Sequence, residues 1–220
     1  MTAKKARIFI VDDHPLVREM LSNLIRQTPD LMVCGEAEDA KAALQEIARA
    51  GADLAIVDLS LGNGSGIDLI RSIRSALPQV AVIVLSMHDE RVYAERSIRA
   101  GARGYIMKRE STKKIIDAIH QVLQGNMYLS KDLTELFAEK FVSGSSQGGG
   151  PSIAQLSDRE LEVFQLIGQG YETRQIAKTL NVNIKTVQTY CTRIKDKLKF
   201  STGSELLREA IRWNEANASR

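Results

Sequence analysis

Val11-Asp12-Asp13, Ile56-Val57-Asp58-Leu59, Val84-Leu85-Ser86 and Tyr105-Ile106-Met107-Lys108 each carry polar or charged side chains at the end of a short apolar run. The runs form a regular series at 8–11, 31–34, 54–57, 80–85 and 104–107. Amphipathic segments lie between them, for example Leu16, Val17, Met20, Leu21, Leu24, Ile25 and then Ile67, Leu69, Ile70, Ile73, Leu77. The runs do not alternate apolar with polar, which predicts strands covered on both faces by helices. Five such βα units with short connections predict an α/β fold built on a five-stranded, doubly wound parallel sheet. A parallel sheet aligns the carboxyl ends of its strands, and ligands bind along that edge. Asp12, Asp13, Asp58, Ser86 and Lys108 are therefore expected to converge there, as three carboxylates, a hydroxyl and an ammonium.

The bulk properties narrow the class. A chain of 220 residues suits one or two domains with a sizeable core in each. No apolar run approaches the roughly 20 residues of a bilayer span, and no signal-peptide pattern opens the sequence. A cytoplasmic protein without a membrane partner is the expectation. Cys34 and Cys191 fall in different halves with no ligand spacing, and read as incidental thiols of a reducing compartment. The histidines His14, His88 and His120 lie far apart and make no metal motif. Residues 156–220 hold 11 Lys/Arg against 8 Asp/Glu, and so carry the whole net charge of +3. That excess is compatible with a nucleic-acid partner for the C-terminal part.

Three segments follow from the pattern: a domain over 1–128, a connecting helix and linker over 129–155, and a second domain over 156–220. Ser130 is a plausible N-cap for a helix running to Val142. Ser143-Gly144-Ser145-Ser146-Gln147-Gly148-Gly149-Gly150-Pro151-Ser152 has the composition of a flexible tether. Beyond it four helices are expected without a strand pattern. Ser157-Asp158-Arg159-Glu160 is a capping box, and Leu161, Phe164 and Ile167 supply an apolar face. Gly168-Gln169-Gly170 stops that helix; Thr173 opens a second, with Ile176, Ala177 and Leu180 inward. Asn183 can cap a third from Ile184 to about Lys199, and a last helix begins at Ser201-Thr202-Gly203. In the third helix Ile184, Val187, Cys191, Ile194 and Leu198 form a stripe read as core. Lys185, Gln188, Thr189, Thr192, Arg193, Lys195 and Lys199 occupy the opposite face.

From Arg7 to Gly125 these residues resemble the receiver domain of two-component response regulators, a flavodoxin-like fold with strand order 2-1-3-4-5. The resemblance implies that Asp58 accepts a phosphoryl group, an aspartyl-phosphate role for a carboxylate. It implies Mg²⁺ as cofactor, held by Asp13, Asp58 and the backbone carbonyl of Ser60, with Asp12 acting through water. Lys108 and Ser86 would meet phosphate oxygens. Ser86 and Tyr105 would form the switch, the ring turning inward as the hydroxyl moves. A sensor histidine kinase is the implied phosphodonor, and homodimerisation the implied result. One departure is visible: Gly62 stands where related receivers usually carry proline, in a loop that also holds Gly64. Ser60 and His88 flank the phosphoryl position and are expected to tune its lifetime.

Residues 156–213 resemble the LuxR-type helix-turn-helix of NarL/FixJ regulators, on Leu156 to Val163, Ile176-Ala177 and Thr186-Val187; His14-Pro15 after Asp12-Asp13 fits the same subfamily. This implies double-stranded DNA as partner, with the helix from Ile184 in the major groove. Gln188, Thr189 and Thr192 then face base edges, while Lys185, Arg193, Lys195 and Lys199 suit phosphates. RNA polymerase is a possible further partner. The last helix (Leu206, Leu207, Ala210, Ile211) corresponds to a dimer surface, though the same face could serve internal packing. Two other readings remain. An Asp58-dependent phosphatase or phosphotransferase would need an acid two residues on, where Ser60 stands. A receiver acting without phosphate is the second. The expectation is a phosphorylation-dependent transcription regulator whose only catalysis is its own phosphorylation and dephosphorylation.

Overall fold

The structure, a computed structural model, describes residues 4–61, 64–87, 90–142 and 153–218. The expectations placed on Gly62, His88 and the tether from Ser143 to Ser152 lie outside the described residues. The chain divides into two units, Met1–Gly144 and Ser145–Arg220.

The first unit alternates strands and helices: β1 (Ala6–Val11), α1 (Pro15–Arg26), β2 (Leu31–Ala37), α2 (Ala40–Ala50), β3 (Leu54–Val57), α3 (Gly66–Ala76), β4 (Ala81–Ser86), α4 (Glu90–Ala100), β5 (Gly104–Met107), α5 (Thr112–Leu123) and α6 (Lys131–Val142). The strands pair in the order β2-β1-β3-β4-β5, every pairing parallel. This is the predicted order. The apolar runs that do not alternate are strands buried on both faces, because helices cover each side of the sheet. Ile8, Ile10, Leu54, Ile56, Ile83, Leu85 and Ile106 share one cluster with Leu21 and Ile25 of α1 and Ile115, Ile119 and Val122 of α5. The residues of opposite parity, such as Phe9, Val57 and Val84, are equally buried. Leu16 and Met20, part of the apolar series read for α1, are instead exposed.

Local chemistry starts the helices where the strands deliver the chain. Pro15 opens α1, where its missing N–H is no loss. Asp39 and Ser65 cap α2 and α3 by accepting from the amides of Ala42 and Asp68. The β1–β2 register shifts at Ile8/Phe9, where the Phe9 ring fills the space a Cβ on Gly35 would need. Past α5, Tyr128 joins the outer edge of β5. Its N–H donates to the Arg103 carbonyl at 2.9 Å and its carbonyl accepts from Tyr105 N at 3.1 Å. Ser130 then caps α6, accepting from Leu133 N at 3.2 Å while donating to Glu90 at 2.9 Å.

The second unit is helical: α7 (Asp158–Gly168), α8 (Thr173–Thr179), α9 (Ile184–Leu198) and α10 (Gly203–Ala218), after a single 3₁₀ turn at Ile153–Gln155. The capping box closes in both directions, Ser157 accepting from Glu160 N and Glu160 from Ser157 N. Phe164, Ile176, Val187, Ile194, Leu198, Leu206 and Ala210 form the core. Trp213 meets Phe164 edge-on, with ring centroids 5.9 Å apart. At Gly168 a Cβ would overlap the Ala210 backbone, so only glycine lets α7 approach α10 this closely. The stripe on α9 needs one correction. Burial begins at Val187, and Ile184 is 41% exposed because no residue of the helix's first turn is buried. Lys199 lies beyond the helix, as its left-handed C-cap at φ 60°. On α10, Leu206 and Ala210 pack inward while Leu207 and Ile211 are exposed.

Glu160 ties α7 to α9 through a 2.5 Å ion pair with Lys197. Burial opposes its charge, but the Lys197 ammonium and Ser157 outweigh burial and hold the carboxyl below the usual range. A lowered folded-state pKa contributes stability above the ordinary carboxylate value, and that stability is lost as pH falls through the folded value. Lys197→Met is expected to destabilise this unit by about 1–3 kcal/mol near neutrality. The gap between variant and parent should then close in acid. Urea unfolding followed by the fluorescence of Trp213, the chain's single tryptophan, reads this unit directly.

Candidate functional site

Backbone pairing carries the sheet past its strand ends and so positions the site. Asp12 N donates to Ala37 O at 3.1 Å, Asp58 N to Val11 O at 2.8 Å and Lys108 N to Ser86 O at 2.8 Å. Asp12, Asp58 and Lys108 thus each hang on the neighbouring strand by one hydrogen bond. Asp12 and Asp58 are each 2% exposed and Ser86 is fully buried, while Asp13 lies at the rim with 31% of its side chain exposed. Lys108 spans the two buried carboxylates, its Nζ 2.7 Å from Asp12 Oδ2 and 2.8 Å from Asp58 Oδ2.

The electrostatics follow from this packing. Burial lifts the Asp58 carboxyl to about 6, against the pull of Lys108, with Asp12 adding repulsion and the Ser60 backbone hydrogen bond opposing it. Burial also works against the Lys108 ammonium, but Asp58 and Asp12 together raise its pKa above the usual lysine value. One oxygen of Asp58, Oδ1, is buried with no hydrogen-bond partner among the described residues. A buried anionic oxygen left this way is costly unless a ligand meets it. Three carboxylates against one ammonium leave two negative charges, which a divalent cation would cancel. The cluster could bind a metal on these grounds.

Some participants escaped the sequence reading. His14, counted there among histidines with no metal motif, stands with the carboxylates. Its Nδ1 is 2.7 Å from Asp13 Oδ1 and 3.3 Å from Asp12 Oδ1, and Asp12, Asp13, His14 and Asp58 place ligand atoms within 4.8 Å of one another. The only sequence signal was its adjacency to Asp13. Arg18 reaches back to donate to the Asp12 carbonyl at 2.7 Å and lies 3.6 Å from Glu36. Its place one turn into α1 gave no hint of this. Tyr105 lies on the edge strand but is 1% exposed, its ring inside the fold. Cys34 and Cys191 are free and half-buried, and burial pushes both thiols up, away from reactivity.

In the second unit, α9 presents Lys185, Gln188, Thr189, Thr192 and Arg193 to solvent, with Lys195 half-buried and Lys199 exposed on the cap that follows. The hydroxyls of Thr189 and Thr192 donate to the carbonyls of Lys185 and Gln188, so their hydrogens are committed to the helix itself.

Gly66 governs the loop that carries Asp58. Its N–H donates to Leu59 O at 3.1 Å, and a Cβ there would overlap the Asp58 carbonyl and the Leu59 Cα. These are backbone atoms that cannot rotate away. Gly66→Ala is expected to cost the first unit about 1–3 kcal/mol through overpacking. Urea unfolding followed by circular dichroism should show this loss while the Trp213 transition stays in place.

Residues 8–120 match the family described as response regulator receiver domain, and residues 154–210 match bacterial regulatory proteins of the luxR family. The oxygen regulatory protein NreC of Staphylococcus carnosus is 32% identical over 210 residues, covering 94% of this chain and 97% of NreC. NreC of Staphylococcus epidermidis is 33% identical at the same coverage. Among solved structures, RcsB from Salmonella enterica serovar Typhimurium, bound to promoter rprA in the presence of phosphomimetic BeF₃⁻, aligns with a TM-score of 0.61 at 26% identity, over 93% of this chain and 98% of RcsB. A LuxR-family two-component response regulator from Aurantimonas aligns with a TM-score of 0.59 at 34% identity, over 63% of this chain and 99% of its own. These relatives are transcription regulators, not enzymes in the usual sense. Sheet order, carboxylate cluster and helical second unit thus agree with both matches, and the chain belongs to the NarL/FixJ response regulators, with a receiver domain and a LuxR-type helix-turn-helix domain.

Proposed function

We propose that this regulator is switched by phosphorylation of Asp58, and that the observation carrying the reading is the buried Oδ1 of that residue, without a hydrogen-bond partner among the described residues, beside Lys108. In this reading the receiver spans 1–128, a connecting helix and linker 129–155, and the DNA-binding domain 156–220. Oδ1 attacks the phosphorus of a sensor histidine kinase's phosphohistidine, or of a small phosphodonor, and the bond to the donor breaks. Asp13, Asp58 and the Ser60 carbonyl would hold Mg²⁺, with Asp12 acting through water. The ion would neutralise charge on the incoming phosphate. Lys108 already lies against Asp58 Oδ2, where its ammonium can receive a phosphoryl oxygen. Ser86 supplies a hydroxyl from the end of β4. Its movement, with the Tyr105 ring, would pass the change to the α4 and α5 side.

The output side of the reading rests on α9. Lys185, Arg193, Lys195 and Lys199 serve phosphates, which position the domain without specifying sequence. Gln188, Thr189 and Thr192 face base edges, where Gln suits adenine and a Thr methyl suits thymine. RcsB is described on DNA as dimers, which supports duplex DNA and a second copy of the chain as partners here. RNA polymerase is a further partner in the same reading, and the site of action is the cytoplasm.

The test is phosphorylation with acetyl phosphate and Mg²⁺, followed by intact mass, oligomeric state and DNA affinity, with Asp58→Asn as control. One phosphoryl group on the parent alone, with tighter dimeric binding to DNA, is the expected result. DNA binding indifferent to both treatment and Asp58→Asn would overturn the switch. On the DNA side, Lys185→Ala should weaken binding about equally across sequences and reduce the salt slope by about 1. Gln188→Ala should relax preference at one base pair, by about 1–3 kcal/mol. Binding measured over a series of salt concentrations and point-substituted sites distinguishes the two.

A further inference from the structure

We infer, on the reading of Asp58 as the phosphoacceptor, that Arg18 is a positioning residue for the transfer, holding the Asp12–Asp13 peptide from the α1 side. Arg18 lies one turn into α1 with 17% of its side chain exposed. Its Nη1 donates to the Asp12 carbonyl at 2.7 Å, and its Nε stands 3.6 Å from Glu36 Oε2 on β2. The other oxygen of Glu36, Oε1, accepts from the Ser22 hydroxyl at 2.5 Å. Arg18 and Ser22 are four residues apart and share one face of α1, so together they grip both oxygens of a single carboxylate. Glu36 is thereby fixed, and it fixes the guanidinium in turn. The planar fork of that group then aims Nη1 at the Asp12 carbonyl.

Such a hold has work to do at this place. Asp12 and Asp58 are buried carboxylates of like charge, and their repulsion pushes the segment after β1 toward solvent. Lys108 relieves part of the push, and a phosphate-bearing donor renews it by bringing further negative charge at the moment of transfer. Each polar atom of Asp12 has a partner against that load. Its N–H donates to Ala37 O at 3.1 Å, Oδ1 accepts from His14 N at 2.9 Å, Oδ2 lies 2.7 Å from Lys108 Nζ, and the carbonyl accepts from Arg18. The last of these has the longest reach, because the Asp12 carbonyl and the Asp13 N–H belong to one planar peptide. Fixing that oxygen sets the direction in which the Asp13 side chain departs. Arg18 touches a backbone oxygen and not the reacting atoms, so it acts through the residues it places.

The experiment follows phosphorylation of the full chain by acetyl phosphate at saturating Mg²⁺, read as intact mass against time, on the parent, Arg18→Met and Arg18→Lys. Urea unfolding followed by circular dichroism is recorded on each. Methionine keeps the apolar stem and removes the donors, and Arg18→Met should slow phosphorylation about ten- to a hundredfold, as a small misplacement at a reacting site does. Lysine returns one cationic donor without the fork, so Arg18→Lys should recover part of the lost rate and remain slower than the parent. Recovery by lysine is what a packing role does not produce. A rate for Arg18→Met within about twofold of the parent overturns the positioning role, whatever the urea midpoint does. Equal slowing in both variants, matched by equal loss of midpoint, overturns it as well. Should Arg18→Met not fold, Arg18→Lys decides, since a parental rate in that variant overturns the role. A parent that gains no phosphoryl group, or gains it equally as Asp58→Asn, removes the phosphoacceptor reading itself and the inference with it.

Discussion

The contact between the Lys108 ammonium and the two buried carboxylates of Asp12 and Asp58 is what the first unit is arranged around. Two carboxylates that are each 2% exposed would repel each other strongly at interior dielectric. One cation at 2.7 and 2.8 Å relieves part of that repulsion and leaves the rest in place. Burial first, and repulsion from Asp12 after it, keeps the Asp58 carboxyl well above the ordinary range despite its lysine. A site fully neutralised by its own side chains would have little affinity for a divalent ion. This one retains the charge, and an oxygen without a donor among the described residues.

The second unit meets a different constraint with similar means. Four short helices make a small core, and a buried carboxylate is tolerable there only if it is fully partnered. Glu160 is partnered three ways, by the Ser157 amide, its hydroxyl and Lys197. One residue therefore closes the capping box of α7 and anchors α9, the helix whose exposed face carries the Lys, Gln and Thr side chains. Packing fixes the middle and end of α9 through Val187, Ile194 and Leu198 and leaves its first turn outside the core. The orientation of that exposed face is set from behind.

Fold class and convergence of Asp12, Asp13, Asp58, Ser86 and Lys108 were legible in the sequence, because burial on both faces leaves a simple signature of unbroken apolar runs, whereas the strand order came only from the resemblance to receiver domains. Capping residues were legible for the same local reason, since Ser157, Asn183 and Ser130 each act on the amide three residues on. The roles of His14, Arg18 and Gly66 were not fully readable. Arg18 acts by curling back onto the Asp12 carbonyl, and the need for glycine at 66 comes from the path of the Asp58 backbone. Such contacts depend on where a chain turns in space, which periodicity does not encode. Ile184 was misread as core because helical spacing shows which face a residue occupies, but not whether a neighbour reaches that far along the helix.

Tyr128 has a further consequence. By hydrogen-bonding on both sides of Gly104, at Arg103 and Tyr105, it occupies the rung by which another strand would extend the sheet beyond β5. The chain thereby blunts its own exposed border with a single residue followed by a helix. Copies of the protein crowded together in a cell cannot knit at that rung into a continuous ribbon without first peeling Tyr128 away. That rung of the β5 edge is thus closed by the same turn that leads into α6.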